Sequence, residues 1–509
     1  MNKSSAGTPC ARPDLQAVID AQAARLDAAR PDAVARQRKR GRRTVREVVD
    51  LLADPDTFVE YGGLARPAVA AMEGAADGLV MGTAQIGGRP VDLLLYDFTV
   101  HAGTQSAINH QKMTRMFEHA LKFRLPVLMW LDGGGARPHD MLIPARGKTP
   151  TFVVFARLSG WVPTVGVVPG RSFAGQANLA GMCDLLIGLR GAALGMAGPP
   201  LVEAALGIRY TPEEIGSMEV HQASGVVDLV VDDEAQAAEV ARRYLGYFGP
   251  AQAPGAAADQ LPMRELVPEN PKRSYDVRSV IDTLADIDSV LEIKPLFGAC
   301  VVTAFIRLNG RAVGVVANQP TQLAGAIDSD GSVKAARFVQ ICDAFDIPLL
   351  LLCDTPGLMV GPDAERTGLV RHSARLLAAI ANATVPLMTV VLRKAYGLGY
   401  YIMGSQPLDP AVLLAWPTAE YGGMGLEGAV NIIHGKELDA IEDPAERAAL
   451  HARLTQALKD EHTAVAAASH FGYDDVIDPA DTRELLLRTL DTLPPAAPRS
   501  ERKRFIEPF

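Results

Sequence analysis

A chain of 509 residues is longer than one ordinary hydrophobic core supports, so two or three domains are expected. Apolar residues make up 48% and charged residues 21%, the profile of a soluble globular protein, and a net charge of -9 argues against nucleic acid as a partner. The cysteines Cys10, Cys183, Cys300, Cys342 and Cys353 form no CxxC pair or Cys/His cluster, so neither a disulfide framework nor a bound metal is expected.

In chain order, residues 14–53 read as helical, with a basic run from Arg36 to Arg46. The run reads first as a solvated helix face, and alternatively as arginines meeting the phosphates of a coenzyme. From residue 80 onward short apolar strands alternate with helical patterns, the signature of an α/β protein. Residues 248–272 are rich in Pro, Ala and Gly without periodicity, which predicts a linker. The tail from about residue 493 is Pro-rich and charged. The expected organisation is therefore an N-terminal helical segment (1–60), a first domain (61–250), a linker (251–272), a second domain (273–495) and a tail (496–509). Apolar runs such as Ile347 to Cys353 are too short to span a bilayer, and the N-terminal MNKSSAGTPCARPD has no apolar signal core. A cytoplasmic location with no membrane partner is the expectation.

The sequence also repeats itself. Lys112 to Pro126 precedes an apolar strand and Asp132, and Lys334 to Pro348 precedes an apolar strand and Asp354, an offset of 222 residues. The same offset relates Ala102-Gly103 to Ala324-Gly325, and Val162-Pro163 matches Val385-Pro386 one residue later. Agreement at so many points predicts a tandem duplication. Each copy reads as strand, Ala-Gly turn, helix with Lys, strand ending in Asp, helix, strand, Gly-containing turn and helix.

In the first copy the strand WVPTVGVV runs through Gly170 into RSFAGQANLAGMCDLLIG, a tight turn opening a helix. Helix N-termini carry unpaired backbone N–H groups, and aimed at a carbonyl oxygen that becomes an enolate they form an oxyanion hole. Small residues, Ala174 and Gly175, allow close approach.

The stretch Ala174-Gly175-Gln176-Ala177-Asn178-Leu179-Ala180-Gly181-Met182-Cys183-Asp184 resembles the crotonase signature Gly-Gly-Gly-x-Glu-Leu-Ala-x-x-Cys-Asp. The hydratase Glu of that signature falls on Asn178, and on Tyr401 in the second copy, which disfavours a hydratase. Further stretches, among them ANQPTQLAGAIDSDGSVKAARFVQICDAFDIPLLLLCDTPGLMVG, VPLMTVVLRKAYGLGYYIMGS, RRTVREVVDLLADPDTFVEYG and LDGGGAR, closely resemble the β-type carboxyltransferase subunits of acyl-CoA carboxylases. The resemblance runs over roughly residues 40–480.

That resemblance implies two crotonase-like ββα spiral domains behind a helical segment. It implies carboxyl transfer between carboxybiotin and the α-carbon of an acyl-CoA through an enolate, with a decarboxylase or a non-catalytic scaffold subunit as the alternatives. By the same resemblance Gly175 and Gln176 act catalytically on the acyl-CoA, and Leu398 and Gly399 on biotin. Ala102, Gly103, Ala174, Ala324, Gly325 and Gly397 complete the substrate-binding turns. Biotin arrives on a separate biotin carboxylase/biotin carrier subunit, since no Met-Lys-Met attachment sequence or ATP-binding loop is present. The assembly implied is a homo-oligomer, dimer to hexamer. The sequence departs from the family's usual Gly-Gly-Ala at both turns, with Ala174-Gly175-Gln176 and Gly397-Leu398-Gly399, and Pro138-His139-Asp140 replaces the usual continuation after Arg137.

Rival readings rest on single motifs. Gly170-Arg171-Ser172-Phe173-Ala174 approaches a nucleophile elbow, with His221, His372 and His434 as possible bases. Gly423 to Gly428 fits GxGxxG by letter but lies outside an opening βαβ unit, so packing glycines are the better reading. Gly147-Lys148-Thr149 lacks the rest of a phosphate loop. Lys112 and Lys334 read as helix-surface residues, and His101 either contacts substrate or has no role.

Overall fold

The computed structural model describes residues 12–69, 71–142, 150–270, 273–494 and 505–508. The chain divides into two compact units, Met1–Phe248 with Lys503–Pro508, and Gly249–Arg502.

The first unit opens with helices Pro13–Ala24, Pro31–Lys39 and Val45–Leu52. Proline begins the first two, where its missing N–H leaves no intrahelical bond unmade. Thr44 and Glu47 form a capping box on the third, which buries Val45, Val48, Val49 and Leu52. The basic run is largely the solvated face expected, with Arg36, Arg38, Lys39, Arg40 and Arg43 exposed, but several of its arginines also meet carboxylates and Arg42 and Arg46 are half-buried. Arg42 reaches Asp132 at 2.7 Å and Glu234 at 3.5 Å, Arg43 reaches Glu234, Arg46 reaches Glu60, and Arg38 reaches Glu47.

Each unit is then built on one main sheet, the first also holding a small parallel pair, Arg171–Phe173 with Ala193–Gly195. In the first, the strands Val59–Glu60, Leu79–Ile86, Arg89–Tyr96, Val127–Trp130, Thr164–Val168, Leu185–Leu189 and Leu229–Val231 lie side by side in that order. The first two pairings are antiparallel and the rest parallel. In the second, Leu291–Ile293, Val301–Leu308, Arg311–Asn318, Leu349–Thr355, Leu387–Tyr396, Val412–Ala415 and Asp475–Val476 repeat that order and those directions. The parallel strands are buried along most of their length, which is why they read as continuous apolar runs.

The duplication extends to individual bonds. The long hairpin turns at Gly87-Gly88 in one unit and Asn309-Gly310 in the other, all four residues at positive φ as a two-residue hairpin requires. Leu93 pairs with Leu128, and at the same offset Val315 pairs with Leu350. Helices Ala107–Phe123 and Ser329–Ala344 are capped by Ser106 and Asp328, equivalent residues whose side chains accept an N–H from the first turn. The α/β architecture, the tandem duplication and the N-terminal helices thus follow the sequence expectation.

Two expectations need correction. Lys112 and Lys334 are not on the helix surface but buried, and burial lowers both ammonium pKa values to about 8. Lys112 is bonded to the carbonyls of Ala76 and Leu79, whereas Lys334 Nζ has no hydrogen-bond partner. The stretch 251–270 also does more than connect: Met263–Leu266 is helical, and Met263 and Val267 join the second core with Val280, Leu350, Val390 and Trp416. At the far end of the chain, Ile506 is buried in the first unit with its N–H on Ser159 Oγ at 3.0 Å.

Candidate active site

Three loops at the carboxyl ends of neighbouring parallel strands converge in the first unit. After Arg89–Tyr96 the chain turns through His101, Ala102 and Gly103, all at positive φ (49°, 51° and 63°). Glycine is required at 103, because a Cβ there would overlap the carbonyl oxygen of Asp132. The N–H groups of Gly103 and Thr104 return to Val100 and His101 at 3.0 and 3.1 Å, so the turn consumes the Gly103 donor and leaves that of Ala102. After Val127–Trp130, Gly134 N–H holds the Ala102 carbonyl at 3.1 Å, and the Gly135 carbonyl accepts from Gln105 N–H at 2.7 Å.

The third loop follows Thr164–Val168. Ala174 sits at φ 55°, ψ −122°, where residues with a Cβ are strained, and caps the helix Gly175–Gly181. The first bond of that helix runs from Asn178 N–H to Ala174 at 3.0 Å, which leaves the N–H groups of Gly175 and Gln176 ahead of it. Gly175 packs where a Cβ would overlap Gln105 Oε1 and lie 3.0 Å from Phe152. Gln176 is fully buried, its Nε2 donating to the Gly103 carbonyl at 2.8 Å while Oε1 has no partner. Ala102, Gly103, Ala174, Gly175 and Gln176 are thereby brought together.

The second unit repeats this assembly. Leu323, Ala324 and Gly325 have positive φ (52°, 53° and 88°), Gly325 N–H returns to Gln322, and a Cβ at Gly325 would overlap the Asp354 carbonyl. Ile327 N–H bonds Gly357, and Met359 N–H bonds Ile327, the counterparts of Gln105 to Gly135 and Arg137 to Gln105. Strand Leu387–Tyr396 ends in Gly397 (φ 57°), which opens the short helix Gly397–Ile402. Gly399 abuts Gly357, whose Cα would be 2.7 Å from an added Cβ, so Ala324, Gly325, Gly397, Leu398 and Gly399 also cluster. Leu398 is exposed, in contrast to the buried Gln176. A cavity of about 610 Å³ is lined by Gly397, Tyr400, Tyr401, Tyr421, His462 and His470 among others.

Asn178 and Tyr401, at the hydratase position, are both exposed. Ser172 is fully buried with no partner for Oγ, so it presents no nucleophile, and His221 Nε2 is engaged by the Leu194 carbonyl at 2.7 Å. His101 Nε2 is held by the Glu73 carbonyl at 2.8 Å. Gly423, Gly425 and Gly428 have open space where a Cβ would sit, so they are not packing glycines within this chain. Gly147-Lys148-Thr149 lies outside the described residues.

Sequence reasoning missed the braces behind the turns. Arg137 and Asp77 form a buried ion pair at 2.6 Å, and Arg137 also donates to the Thr104 carbonyl at 3.3 Å, next to the first turn. Asp77 in addition takes Ser106 Oγ and Asn109 Nδ2, so one carboxylate joins the turn to the cap of the following helix. In the second unit Asp354 is fully buried against Arg393 Nε at 3.0 Å, and Lys394 Nζ donates to the Ala324 carbonyl at 2.6 Å. The repeated Asp132 and Asp354 were the available signal, since a buried Asp at matched strand ends demands a cation.

Two turn systems at matched strand ends, in a tandem α/β repeat, define a duplicated crotonase-like protein whose polar groups at both turns are mainly backbone. The family model for the carboxyl transferase domain matches residues 36–504, and the chain belongs to that family. It is 37% identical over 473 residues to the methylmalonyl-CoA carboxyltransferase 12S subunit of Propionibacterium freudenreichii subsp. shermanii, covering 90% of each chain. It is 36% identical over 487 residues to the propionyl-CoA carboxylase beta chain of Saccharopolyspora erythraea, covering 91% of this chain and 89% of the relative. Among solved structures it matches transcarboxylase 12S at TM-score 0.88 and 33% identity, covering 97% and 99% of the two chains. It also matches a single-chain, multi-domain long-chain acyl-CoA carboxylase at TM-score 0.88 and 44% identity, spanning 95% of itself and 49%, about half, of that chain. The family is one of enzymes, as expected. No helix among the described residues is long and apolar enough to cross a membrane.

Proposed function

We propose that this chain is the carboxyltransferase component of a biotin-dependent acyl-CoA carboxylase, joining a carboxyl group to the α-carbon of an acyl-CoA through an enolate. The observation that carries the reading is the pair of equivalent turns, each with a helix-opening N–H set beside an Ala-Gly turn. Charge developing on a thioester oxygen is stabilised by fixed donors that need no reorganisation. In this reading Ala102, Gly175 and Gln176 serve the thioester in a first domain (61–250), and Ala324, Leu398 and Gly399 serve a ureido oxygen in a second (273–495). The residues at the hydratase position, Asn178 and Tyr401, lack the carboxylate of that signature, which favours chemistry in which the protein itself moves no proton.

Biotin, when bound, carries the carboxyl group and takes up the α-proton. The second turn suits it: Gly397, which opens the helix carrying Leu398 and Gly399, borders a cavity walled by tyrosine rings, apolar faces fit for the fused rings of a cyclic urea. The turns hold and orient, and the surrounding walls exclude water. A separate biotin carboxylase/carrier subunit delivers biotin to a homo-oligomer of this chain, in line with the hexamer assembly named for transcarboxylase 12S.

The test is carboxyl transfer from methylmalonyl-CoA or malonyl-CoA to free biotin by the purified chain, followed by mass spectrometry of the CoA esters. Transfer at a rate lowered about 10²-fold or more by disrupting either turn supports the reading. Absence of transfer with every carboxyacyl-CoA, with and without a carrier subunit, refutes it.

A further inference from the structure

The two turn systems share the backbone hydrogen bonds that shape the turn, and these part company at the carbonyl of the turn's alanine. In the first unit the Ala102 carbonyl is held by the peptide N–H of Gly134 at 3.1 Å. The residue 222 positions after Gly134 is Pro356, and proline has no N–H. The equivalent carbonyl, that of Ala324, is held instead by the Lys394 ammonium at 2.6 Å. The counterpart of Lys394 in the first unit, Arg171, is exposed, and its backbone N–H meets Asp132 as that of Lys394 meets Asp354. A side-chain cation has thus taken over a bond that the other copy makes with its main chain.

The replacement sits where support is needed. Leu323 and Ala324 both hold a left-handed backbone that residues with a Cβ adopt at an energetic penalty, so the turn persists only if its neighbours over-determine it. The ammonium is itself fixed: Lys394 Nζ lies 3.5 Å from Asp354 Oδ1, and Asp354 is locked by Arg393 and by Lys394 N–H at 3.2 Å. Glu420 pairs with Lys394 across the neighbouring strand, but its carboxylate is committed to Tyr396 Oη at 2.6 Å. Lys394 therefore points one of its donors at the turn and is oriented by a buried carboxylate behind it.

We propose that Lys394 is a positioning residue of the second turn, substituting for the peptide donor that Pro356 removes and holding Ala324 in the geometry the turn needs to receive its ligand. The proposal rests on the carboxyltransferase reading for its effect on rate, and on geometry alone for its effect on the turn.

Two readouts test it on the full chain. In carboxyl transfer from methylmalonyl-CoA to free biotin, Lys394→Met is expected to lower kcat about 10- to 100-fold, the range for a misplaced site, with KM for the CoA ester within about twofold. Lys394→Arg should keep most of the rate. Pro356→Ala restores a backbone N–H at the position of Gly134, so the double variant Lys394→Met/Pro356→Ala should regain several-fold over Lys394→Met alone. Hydrogen exchange of the peptide spanning 320–330 supplies the readout that needs no activity: faster exchange in Lys394→Met, slower again in the double variant. A wild-type rate in Lys394→Met, or a loss that Pro356→Ala does not lessen, overturns the proposal. A wild-type chain without carboxyl transfer refutes the functional reading instead, and the exchange pattern then decides on Lys394 by itself.

Discussion

The buried ion pair Arg137–Asp77 offers a perturbation whose size follows from the fold. Neither side chain is more than 1% exposed, and Nη1 and Oδ1 are 2.6 Å apart. Arg137→Met leaves the Asp77 carboxylate in the interior with hydrogen bonds from Ser106 Oγ and Asn109 Nδ2 and no cation in direct contact, the Lys112 ammonium acting on it from a distance. Breaking a pair of this kind from one side typically destabilises by about 3–5 kcal/mol, because the remaining charge is stranded. The second unit shows how the same place is filled without charge: the residues at the equivalent offset are Ala299 and Met359. The double variant Asp77→Ala/Arg137→Met copies that solution and strands nothing. It should therefore be less destabilised than the sum of the single changes, with a coupling of about 2–3 kcal/mol in the range seen for groups sharing a network. Calorimetry on wild type, both singles and the double closes the cycle, the loss in the double falling short of the summed single losses by that coupling. Additive losses within about 0.5 kcal/mol would show that the pair is not a unit and refute the argument.

Other outcomes follow from the same geometry. Gly175→Ala places a methyl on Gln105 Oε1 and against Phe152 at the mouth of the first turn, and should lower carboxyl transfer about 10²-fold, measured as kcat with a CoA ester, while the melting temperature moves little. Gly103→Ala and Gly325→Ala both combine positive φ with overlap on an Asp carbonyl, so each should destabilise by about 2 kcal/mol or more in chemical denaturation; one tolerated and one not would break the structural equivalence of the turns. The buried lysines should respond in opposite directions: Lys334→Met removes an ammonium with no partner and raises stability, whereas Lys112→Met abandons two carbonyls and lowers it. Because both folded pKa values are depressed to about 8 from the usual 10.5, the unfolded chain binds more protons between those limits. Stability gained by rising pH across that window in wild type should shrink in Lys334→Met, read from denaturation midpoints at pH 7.5 and 10.5.

The duplication was legible because it is written in residues with no substitute, the Ala-Gly turns and the Asp at strand ends, and in apolar runs whose length fixes the strands. The turns themselves were legible for the same reason: Gly103 and Gly325 leave no room for a Cβ. What stayed hidden were partnerships between residues far apart in the chain. Nothing near Arg137 in sequence announces Asp77, and nothing near Lys394 announces the carbonyl of Ala324. The lysines of the repeated helix misled because charge usually means surface, and only carbonyls supplied from residues 76 and 79 make Lys112 an interior residue. Arg42 deceived in the same way, its two carboxylate partners lying 90 residues and more along the chain.

The turns at His101-Ala102-Gly103 and Leu323-Ala324-Gly325 each place three successive residues in the left-handed region. Locally the chain there winds in the mirror sense of an ordinary helix, a conformation L-residues accept at roughly 1–2 kcal/mol apiece. To a D-amino acid the same dihedral angles are relaxed. A semisynthetic chain carrying D-alanine at 102 or 324 would meet its preferred backbone exactly where the natural residue is strained, so inverting one stereocentre should firm these turns rather than break them.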